Sequence, residues 1–309
     1  MRDTNKDLPA SVDGGVEIGC ATHGRIHRFS HEAMATIFEV HADHPDARYA
    51  AQAAQAVFDL VDRLERELSR FQPNSDITRI NHLKAGEATR VSAATLECLT
   101  VARHMYDLTG GAFDASIGTG LPSLEFDPHE WTVRASEAGV HVDLGGIGKG
   151  YAVDCMAELL EEWQLPRALV HGGFSSVLAM DPPTDADAWS LTLSDPDAPR
   201  RVLARLNVRQ TALAASGVRK TDHIVDPRTG EPVRGRRGAW TSVRRPPREA
   251  GTSDLDTPRA AAVADALATA FMLLPTEDVE TLCRSAPGLE AWIIDDGPDP
   301  DGQLRHVRG

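Results

Sequence analysis

The sequence predicts a chain that mixes α-helices with short β-strands, and two kinds of periodicity lead to this fold class. Apolar residues recur at three- and four-residue steps over 46–70 and 93–108, which is typical of amphipathic helices. Runs with strand-like patterning lie at 26–40 and at several places beyond residue 140. The 309 residues, 41% of them hydrophobic, are enough for one large domain with a full core.

The elements follow one another from a first hairpin, or pair of short strands, at 26–40. Helices at 46–70 and 93–108 come next, and the glycine pair after the second helix suits a left-handed C-terminal cap. The remaining predictions are a loop at 121–131, a strand at 140–144, a helix at 151–163, strands at 167–180, 189–193, 202–208 and 239–243, a helix from about 257, and a final strand at 289–294. We expect residues 1–25 to be a flexible N-terminal segment and 26–309 to form a single domain.

Charge limits the class of partner. The chain has 32 basic and 46 acidic residues, a net charge of −14, so its field repels polyanions and we expect no nucleic-acid partner. Small phosphorylated ligands remain compatible, because a few backbone amides, one lysine or a metal ion can hold a phosphate.

The ends and the cysteines bear on location. The first residues contain no apolar run like that of a secretory signal, and no stretch is long enough to span a bilayer. The four cysteines are far apart and form no CxxC pattern, which suits a reducing compartment. We therefore expect a cytoplasmic protein without a membrane span, although an upstream start codon could add a signal peptide.

The apolar segment 260–274 holds two polar side chains that need partners. Asp265 and Thr269 are four residues apart, so on a helix they lie on one face. Thr257 followed by Pro258 predicts the start of that helix. A carboxylate and a hydroxyl one turn apart suit a hard cation such as Mg²⁺. Alternatively, Thr269 bonds a preceding carbonyl and Asp265 caps a neighbouring loop.

A glycine-rich loop, VDLGGIGKGYAVD at 142–154, leads from the predicted strand into a helix. Amides without a neighbouring Cβ, at a helix N-terminus, can approach a phosphate closely. The segment fits neither the dinucleotide pattern GxGxxG nor the Walker A pattern, and a plain tight turn is the alternative.

Two further segments are candidate parts of a site. In 216–233, His223 precedes a Pro/Gly turn and could take a proton from a hydroxyl nucleophile, or could simply be solvated. In TGGAFDAS at 109–116, Phe113 and Asp114 follow a predicted helix end, where they could form a ligand loop or a return into the core.

Taken in order, these segments resemble the ApbE family of FAD:protein FMN transferases. The resemblance covers about 30–275, and the motifs that carry it are Met34-Ala35-Thr36, LSRFQPNSDITRIN at 68–81, GGAFDAS at 110–116, DLGGIGKGYAVD at 143–154, SG at 216–217, HIVDPRTGEP at 223–232 and ADALAT at 264–269. It implies an α+β fold of two lobes with FAD in the groove between them.

The resemblance also implies a role for each matching residue. Mg²⁺ would be bound by Asp265, Thr269 and the main-chain carbonyl of Gly148. The catalytic residues would be Asp265 and His223, with His223 as the base. Lys149 would lie near the diphosphate. The residues along FAD would be Met34, Phe71, Ala112, Phe113, Asp114, Tyr151 and Ile224. The implied reaction moves FMN from FAD onto a Thr or Ser hydroxyl of an acceptor protein and releases AMP.

Two departures from the family pattern keep other functions open. Gly172-Gly173-Phe174 stands where relatives commonly have a GGD-like strand end, and the spacer between Ser216-Gly217 and His223 is short. A hydrolase that splits FAD into FMN and AMP, or a flavin-binding protein without catalysis, are the alternatives.

Overall fold

The computed structural model describes residues 16–19, 25–217, 224–246, 259–296 and 304–309, with the backbone alone for the first of these ranges. The helices are α1 (Ala47–Leu68), α2 (Asp76–Ile80), α3 (Ala93–Leu108), α4 (Gly148–Glu162), α5 (Ala260–Phe271) and α6 (Thr276–Ser285). The strands are β1 (Val16–Gly19), β2 (Ile26–Ala33), β3 (Thr36–Asp43), β4 (Ala88–Arg90), β5 (Leu124–Asp127), β6 (Thr132–Ala135), β7 (Ala168–Gly172), β8 (Ser176–Ala179), β9 (Trp189–Ser194), β10 (Val202–Val208), β11 (Thr211–Gly217), β12 (Arg236–Arg244), β13 (Leu289–Asp295) and β14 (Arg305–Arg308).

An eight-stranded antiparallel sheet in the order β14-β13-β12-β11-β8-β7-β3-β2 forms the centre of this α+β fold. Successive residues of a strand point to opposite faces of this sheet, and each face has its own hydrophobic core. In β11, Ala212 and Ala214 pack in the core on the helix side, and Leu213 packs in the core on the other side. Helices α1, α4 and α5 pack on the first face. The small sheet β1-β9-β10 covers the second, and a third sheet, β4-β6-β5, lies apart.

The first two long helices confirm the sequence predictions because their signals are local. Asp46 caps α1 by accepting hydrogen bonds from the amides of Arg48 and Tyr49. Ser92 caps α3 in the same way, through the amide of Thr95. The glycine pair after α3 has positive φ values of 59° and 78°, as the cap prediction requires.

The predicted strand at 140–144 is wrong, although its residues alternate between buried and more exposed positions. The segment pairs with no strand among the described residues. Instead, Val142 exchanges hydrogen bonds of 2.6 and 3.0 Å with the Asn81 side chain, and the amide of Asp143 donates to the carbonyl of Ala115 at 2.7 Å. Alternating burial of side chains therefore does not by itself show that a segment pairs as a strand.

Other boundaries also differ from the predictions. The segment 121–131, predicted as a loop, contains a short 3-10 helix at Leu121–Ser123 and then β5. Helix α4 begins three residues earlier than predicted. Strand β11 was not predicted, since its sequence TALAASG is rich in small residues with weak strand preference, yet those residues let α5 pack closely on the sheet.

Of the predicted flexible segment 1–25, the structure describes β1, which pairs with β9, and Arg25. The rest of the predicted flexible segment lies outside the described residues, and the single domain over 26–309 stays a prediction. In the part of the chain that the structure describes, no helix has both the length and the apolar character needed to cross a membrane.

Candidate active site

A cavity of about 710 Å³ opens at the end of the large sheet where β11 ends. It is lined by parts of the loop after α3, the glycine loop before α4, the last residues of β11, the turn after residue 224 and one face of α5. Of the predicted site residues, those that line it are Ala112, Phe113, Asp114, Lys149, Ile224, Asp265 and Thr269. The structure thus brings together segments that are more than 150 residues apart.

Helix α5 directs Asp265 and Thr269 into this cavity. The Asp265 carboxylate is 3% exposed, and its Oδ2 accepts a hydrogen bond of 3.0 Å from the amide of Gly150. The Lys149 ammonium lies 3.8 Å from the same oxygen. Thr269 Oγ1 lies 3.3 Å from the hydroxyl of Ser216, and also 3.3 Å from the carbonyl of Asp265. Thr269 thus bonds a preceding carbonyl, and Asp265 bonds the first turn of α4, much as the alternative interpretation suggested. Both side chains nevertheless line the same cavity.

Burial raises the pKa of Asp265 above its ordinary value, although the charge of Lys149 and the Gly150 amide oppose that rise. An ionised carboxylate here is costly unless a cation compensates it. The carboxylate and the Thr269 hydroxyl are hard oxygen donors of the type that Mg²⁺ takes. The residues present thus fit a small divalent cation.

The glycine loop turns into α4 beside these groups. The amide of Gly145 donates to Asp143 Oδ1 at 2.9 Å, and the Lys149 ammonium donates to the carbonyl of Gly145 at 3.1 Å. A Cβ on Gly146 would lie 3.3 Å from the Phe113 ring and 3.4 Å from Thr269 Oγ1, so bare backbone faces the cavity here. Gly148, the predicted carbonyl ligand, is the buried first residue of α4 and is not among the lining residues.

Gly150 lets α4 and α5 approach each other closely, because a Cβ there would lie 2.2 Å from the carbonyl oxygen of Ala261. We expect Gly150→Ala to destabilise the protein by about 1–3 kcal/mol through overpacking. Gly148→Ala is the matched control, since its Cβ would meet Leu144 at an ordinary 3.6 Å and should be neutral or slightly stabilising. Urea unfolding of both variants measures the difference, and equal midpoints would contradict this view of the helix contact.

The loop after α3 is held by its own hydrogen bonds. The amide of Phe113 donates to Thr109 Oγ1 at 3.0 Å. The Asp114 carboxylate accepts from the amide and hydroxyl of Ser116, both at 2.7 Å, and from the amide of Gly118 at 2.8 Å. Asp114 therefore shapes the loop that presents Phe113 to the cavity.

The predicted Pro/Gly turn forms another wall of the cavity. The carbonyl of Asp226 accepts from the amide of Gly230 at 2.8 Å, and the Asp226 carboxylate pairs with Arg228 at 2.7 Å. A Cβ on Gly118 would lie 2.5 Å from the carbonyl oxygen of Pro227, so the two loops touch. The predicted catalytic base, His223, lies outside the described residues.

Comparison with known proteins decides the family. The ApbE family model matches residues 34–129 and 118–293, which together span most of the chain. This chain belongs to the ApbE family. It is 24% identical over 245 residues to the FAD:protein FMN transferase of Salmonella typhimurium, covering 65% of this chain and 69% of that one. It is 26% identical over 345 aligned positions to the protein of that name from Treponema pallidum, covering 94% and 90%.

Solved ApbE structures share the fold. The flavin transferase ApbE from Vibrio cholerae superposes with a TM-score of 0.75 at 20% identity, covering 91% of this chain and 97% of that chain. The ApbE protein from Thermotoga maritima has the same TM-score at 22% identity, with the same coverage. At this level of identity the likeness concerns the fold alone.

Three residues that the ApbE resemblance implied as ligand contacts do not line the cavity. Tyr151 is 1% exposed and donates to Glu97 at 2.7 Å, so its ring belongs to the core. Met34 forms the β2–β3 turn with Ala35, both at positive φ (49° and 57°). Phe71 is 79% exposed, and the Arg70 guanidinium lies 4.1 Å from its ring.

The lining residues Arg70 and Asp143 were not predicted. Arg70 Nε lies 2.8 Å from Asp143 Oδ2, so the pair ties the segment after α1 to the glycine loop. No local pattern could reveal this contact, because its partners are 73 positions apart in the sequence.

The sequence patterns also did not predict a buried polar cluster that lies outside the cavity lining. On neighbouring strands β3 and β7, His41 Nε2 and His171 Nε2 lie 3.1 and 3.0 Å from Glu39 Oε2. Arg28 contributes two further hydrogen bonds to that carboxylate, at 2.9 and 2.5 Å. The three ligand atoms from Glu39, His41 and His171 lie within 4.8 Å of one another. However, Oε2 already accepts from three groups, so its acceptor capacity is used within the cluster, while the buried His171 Nδ1 has no hydrogen-bond partner among the described residues.

Phe174 joins this cluster to the cavity. At this position the resemblance implied a carboxylate, whereas here the ring of Phe174 stacks on His171 with centroids 4.5 Å apart. Its φ is 58°, and the next residue, Ser175, lines the cavity. The residue that departs from the ApbE pattern therefore packs on buried polar neighbours at the cavity edge.

Proposed function

We propose that this protein is an FAD:protein FMN transferase that moves FMN from FAD onto a Thr or Ser hydroxyl of an acceptor protein, in a Mg²⁺-dependent reaction. The observation that carries the proposal is the meeting of Asp265, Thr269 and Lys149 with the glycine loop in one cavity of an ApbE-family chain. A cation and a phosphate could be held there side by side.

FAD is proposed to bind in this cavity, in a groove between two lobes. A volume of about 710 Å³ lies within the range of small-molecule sites. Phe113, Ala112 and Ile224 supply apolar surface for the flavin or adenine ring, and Asp114 acts by holding the Phe113 loop. Met34, in the β2–β3 turn, and Phe71, next to the lining residue Arg70, stay predicted contacts of FAD, whereas buried Tyr151 is not carried into this proposal.

The diphosphate is proposed to lie against Lys149 and the backbone of Gly146, where no Cβ intervenes. Asp265, Thr269 and the carbonyl of Gly148 would hold Mg²⁺, which when bound would spread negative charge from the pyrophosphate. The buried Asp265 carboxylate, kept in orientation by the amide of Gly150, would be the anionic ligand. Lys149 would add a positive charge on the same side.

The reaction proposed is phosphoryl transfer. The acceptor hydroxyl oxygen forms a bond to the FMN phosphorus, the bond from that phosphorus to the bridging oxygen breaks, and AMP leaves with the bridging oxygen. His223 is the proposed base for the hydroxyl proton, since its unperturbed pKa lies near neutrality and it directly precedes Ile224, which lines the cavity.

Hydrolysis of FAD to FMN and AMP is the second candidate, and the observation that favours it is Phe174 in place of the family carboxylate. Water would then replace the acceptor hydroxyl. Binding of FAD without chemistry is the third candidate. The cytoplasmic location and the absence of a nucleic-acid partner stay predictions from the sequence.

One incubation separates these functions. The purified protein is mixed with FAD and Mg²⁺, with and without a peptide that carries a candidate Thr or Ser acceptor. We expect covalent FMN on the peptide together with an equal amount of AMP, read by mass spectrometry and chromatography. AMP without a labelled peptide would indicate hydrolysis, and FAD that remains intact would indicate binding alone.

A further inference from the structure

Helix α5 begins without a cap of its own, although the sequence predicts one. Thr257 and Pro258 lie outside the described residues, and the helix starts at Ala260, later than that cap predicts. Arg259, the residue before it, provides no side-chain cap bond. The first turn of a helix has amides that need acceptors from elsewhere.

A carboxylate from α4 supplies those acceptors. Asp154 Oδ1 accepts from the amide of Ala261 at 3.0 Å, and its Oδ2 accepts from the amide of Ala262 at 2.9 Å. Asp154 is 4% exposed. Burial raises its pKa to about 7, while the two amides and the charge of Arg259 act in the opposite direction.

The same two helices share a third hydrogen bond at the candidate site. One turn before Asp154, the amide of Gly150 donates to the carboxylate of Asp265. Thus α4 offers a carboxylate to α5 amides, and α5 offers a carboxylate to an α4 amide. The contact is also tight, because a Cβ on Gly150 would overlap the Ala261 carbonyl. Three hydrogen bonds, from two successive turns of α4, therefore fix both the height and the rotation of α5 against α4.

Ion pairs also fix Arg259, the residue directly before α5. The Arg259 guanidinium bonds both oxygens of Glu97 on α3, at 2.6 and 2.7 Å, and lies 2.5 Å from Glu158 on α4. Arg259 is 5% exposed, so this anchor is buried. The start of α5 is therefore tied to two helices before it reaches the cavity.

We propose that Asp154 is a positioning residue for the cation site: by capping α5 from α4 it sets where Asp265 and Thr269 stand relative to the glycine loop. The inference rests on the proposed function, since it assumes that these side chains bind the cation. A group that orients a ligand typically changes metal affinity about 10- to 100-fold when it is replaced. Asp154 reaches neither FAD nor the cation in this account.

The test measures Mn²⁺ affinity, a probe for Mg²⁺, by electron paramagnetic resonance of free Mn²⁺ in the presence of FAD. Asp154→Asn keeps the side-chain volume but leaves one acceptor oxygen for two amides. Asp76→Asn is the matched control, since Asp76 is also a buried carboxylate that supports a helix start, accepting from the amide of Ser92 at 2.7 Å. Thermal unfolding of both variants reports the general loss of stability.

We expect Asp154→Asn to weaken Mn²⁺ binding about 10-fold or more, and Asp76→Asn to leave it unchanged. Wild-type affinity in Asp154→Asn would overturn the inference and leave the proposed function standing. Equal weakening in both variants would also overturn it, because the effect would then follow stability. A wild-type protein that binds no Mn²⁺ would overturn the proposed cation site, and this inference with it.

If Asp154→Asn does not fold, hydrogen exchange of the wild-type protein provides the test. Adding Mg²⁺ to the FAD-bound protein should slow exchange of the Ala261 and Ala262 amides about 10-fold, because fixing Asp265 also fixes the first turn of α5. Unchanged exchange at these two amides would contradict the coupling.

Discussion

Replacing Asp265 with Asn should lower the rate of flavin transfer by at least about 100-fold, beyond what losing an orienting partner usually costs. The fold should survive. Burial raises the pKa of Asp265, which means that the folded protein disfavours the charged form, so a neutral amide of similar shape should leave the thermal midpoint equal or higher. Loss of activity without loss of stability is the signature of a residue kept for its chemistry.

The measurement is initial rate against Mg²⁺ concentration, together with thermal unfolding. Asp127→Asn is the control, because that carboxylate only accepts from the amides of His129 and Glu130 in an exposed turn away from the cavity. It should retain the wild-type rate. A normal rate of flavin transfer in Asp265→Asn would show that Asp265 is not a ligand of the cation.

Replacing Glu39 with Ala should cost about 3–5 kcal/mol of the free energy of unfolding at neutral pH, because it leaves Arg28 and two buried imidazoles without their shared carboxylate. Burial alone would raise the pKa of Glu39, but hydrogen bonds from His171, His41 and Arg28 outweigh burial and hold it well below its ordinary value. The pKa of His171 is lowered by burial, with Glu39 opposing.

These shifts fix how stability depends on pH. A carboxylate with a lowered pKa contributes stability above its unfolded value of 4.5, and that contribution is lost as the pH falls through the folded pKa. The lowered pKa of His171 likewise makes the folded protein less stable as the pH falls below the ordinary histidine pKa of 6.5. The gap in unfolding free energy between wild type and Glu39→Ala should therefore narrow on acidification below about pH 4.5.

Urea unfolding at several pH values measures this gap. Glu39→Gln separates charge from shape, since it keeps the side-chain size and cannot ionise. A gap that stays constant from pH 7 to pH 4 would show that the cluster contributes through packing and not through ionisation.

Local signals in the sequence predicted the parts of the fold that are built locally. Helix α3 has the predicted bounds because Ser92 caps it and the glycine pair ends it. The turn at Asp226 and the shared helix face of Asp265 and Thr269 follow from spacing in the same way. For these elements, the residues that determine the structure are close neighbours in the chain.

The errors occur where distant residues supply the partner. The segment 140–144 looks like a strand, but the Asn81 side chain takes its hydrogen bonds. The first amides of α5 bond to Asp154, which lies more than 100 residues earlier in the chain, whereas Thr257, the predicted cap, lies outside the described residues. The Glu39 cluster needs three strands to meet before its charges come together. A single sequence does not record such pairings, because no local period or spacing encodes them.

A crystal structure with FAD and Mn²⁺ would show whether α5 holds a divalent cation against the diphosphate of FAD. We expect an anomalous scattering peak bonded to a carboxylate oxygen of Asp265 and to a pyrophosphate oxygen, at about 2.0–2.3 Å from each. A peak remote from Asp265 and Thr269, with the diphosphate bound elsewhere, would contradict this expectation.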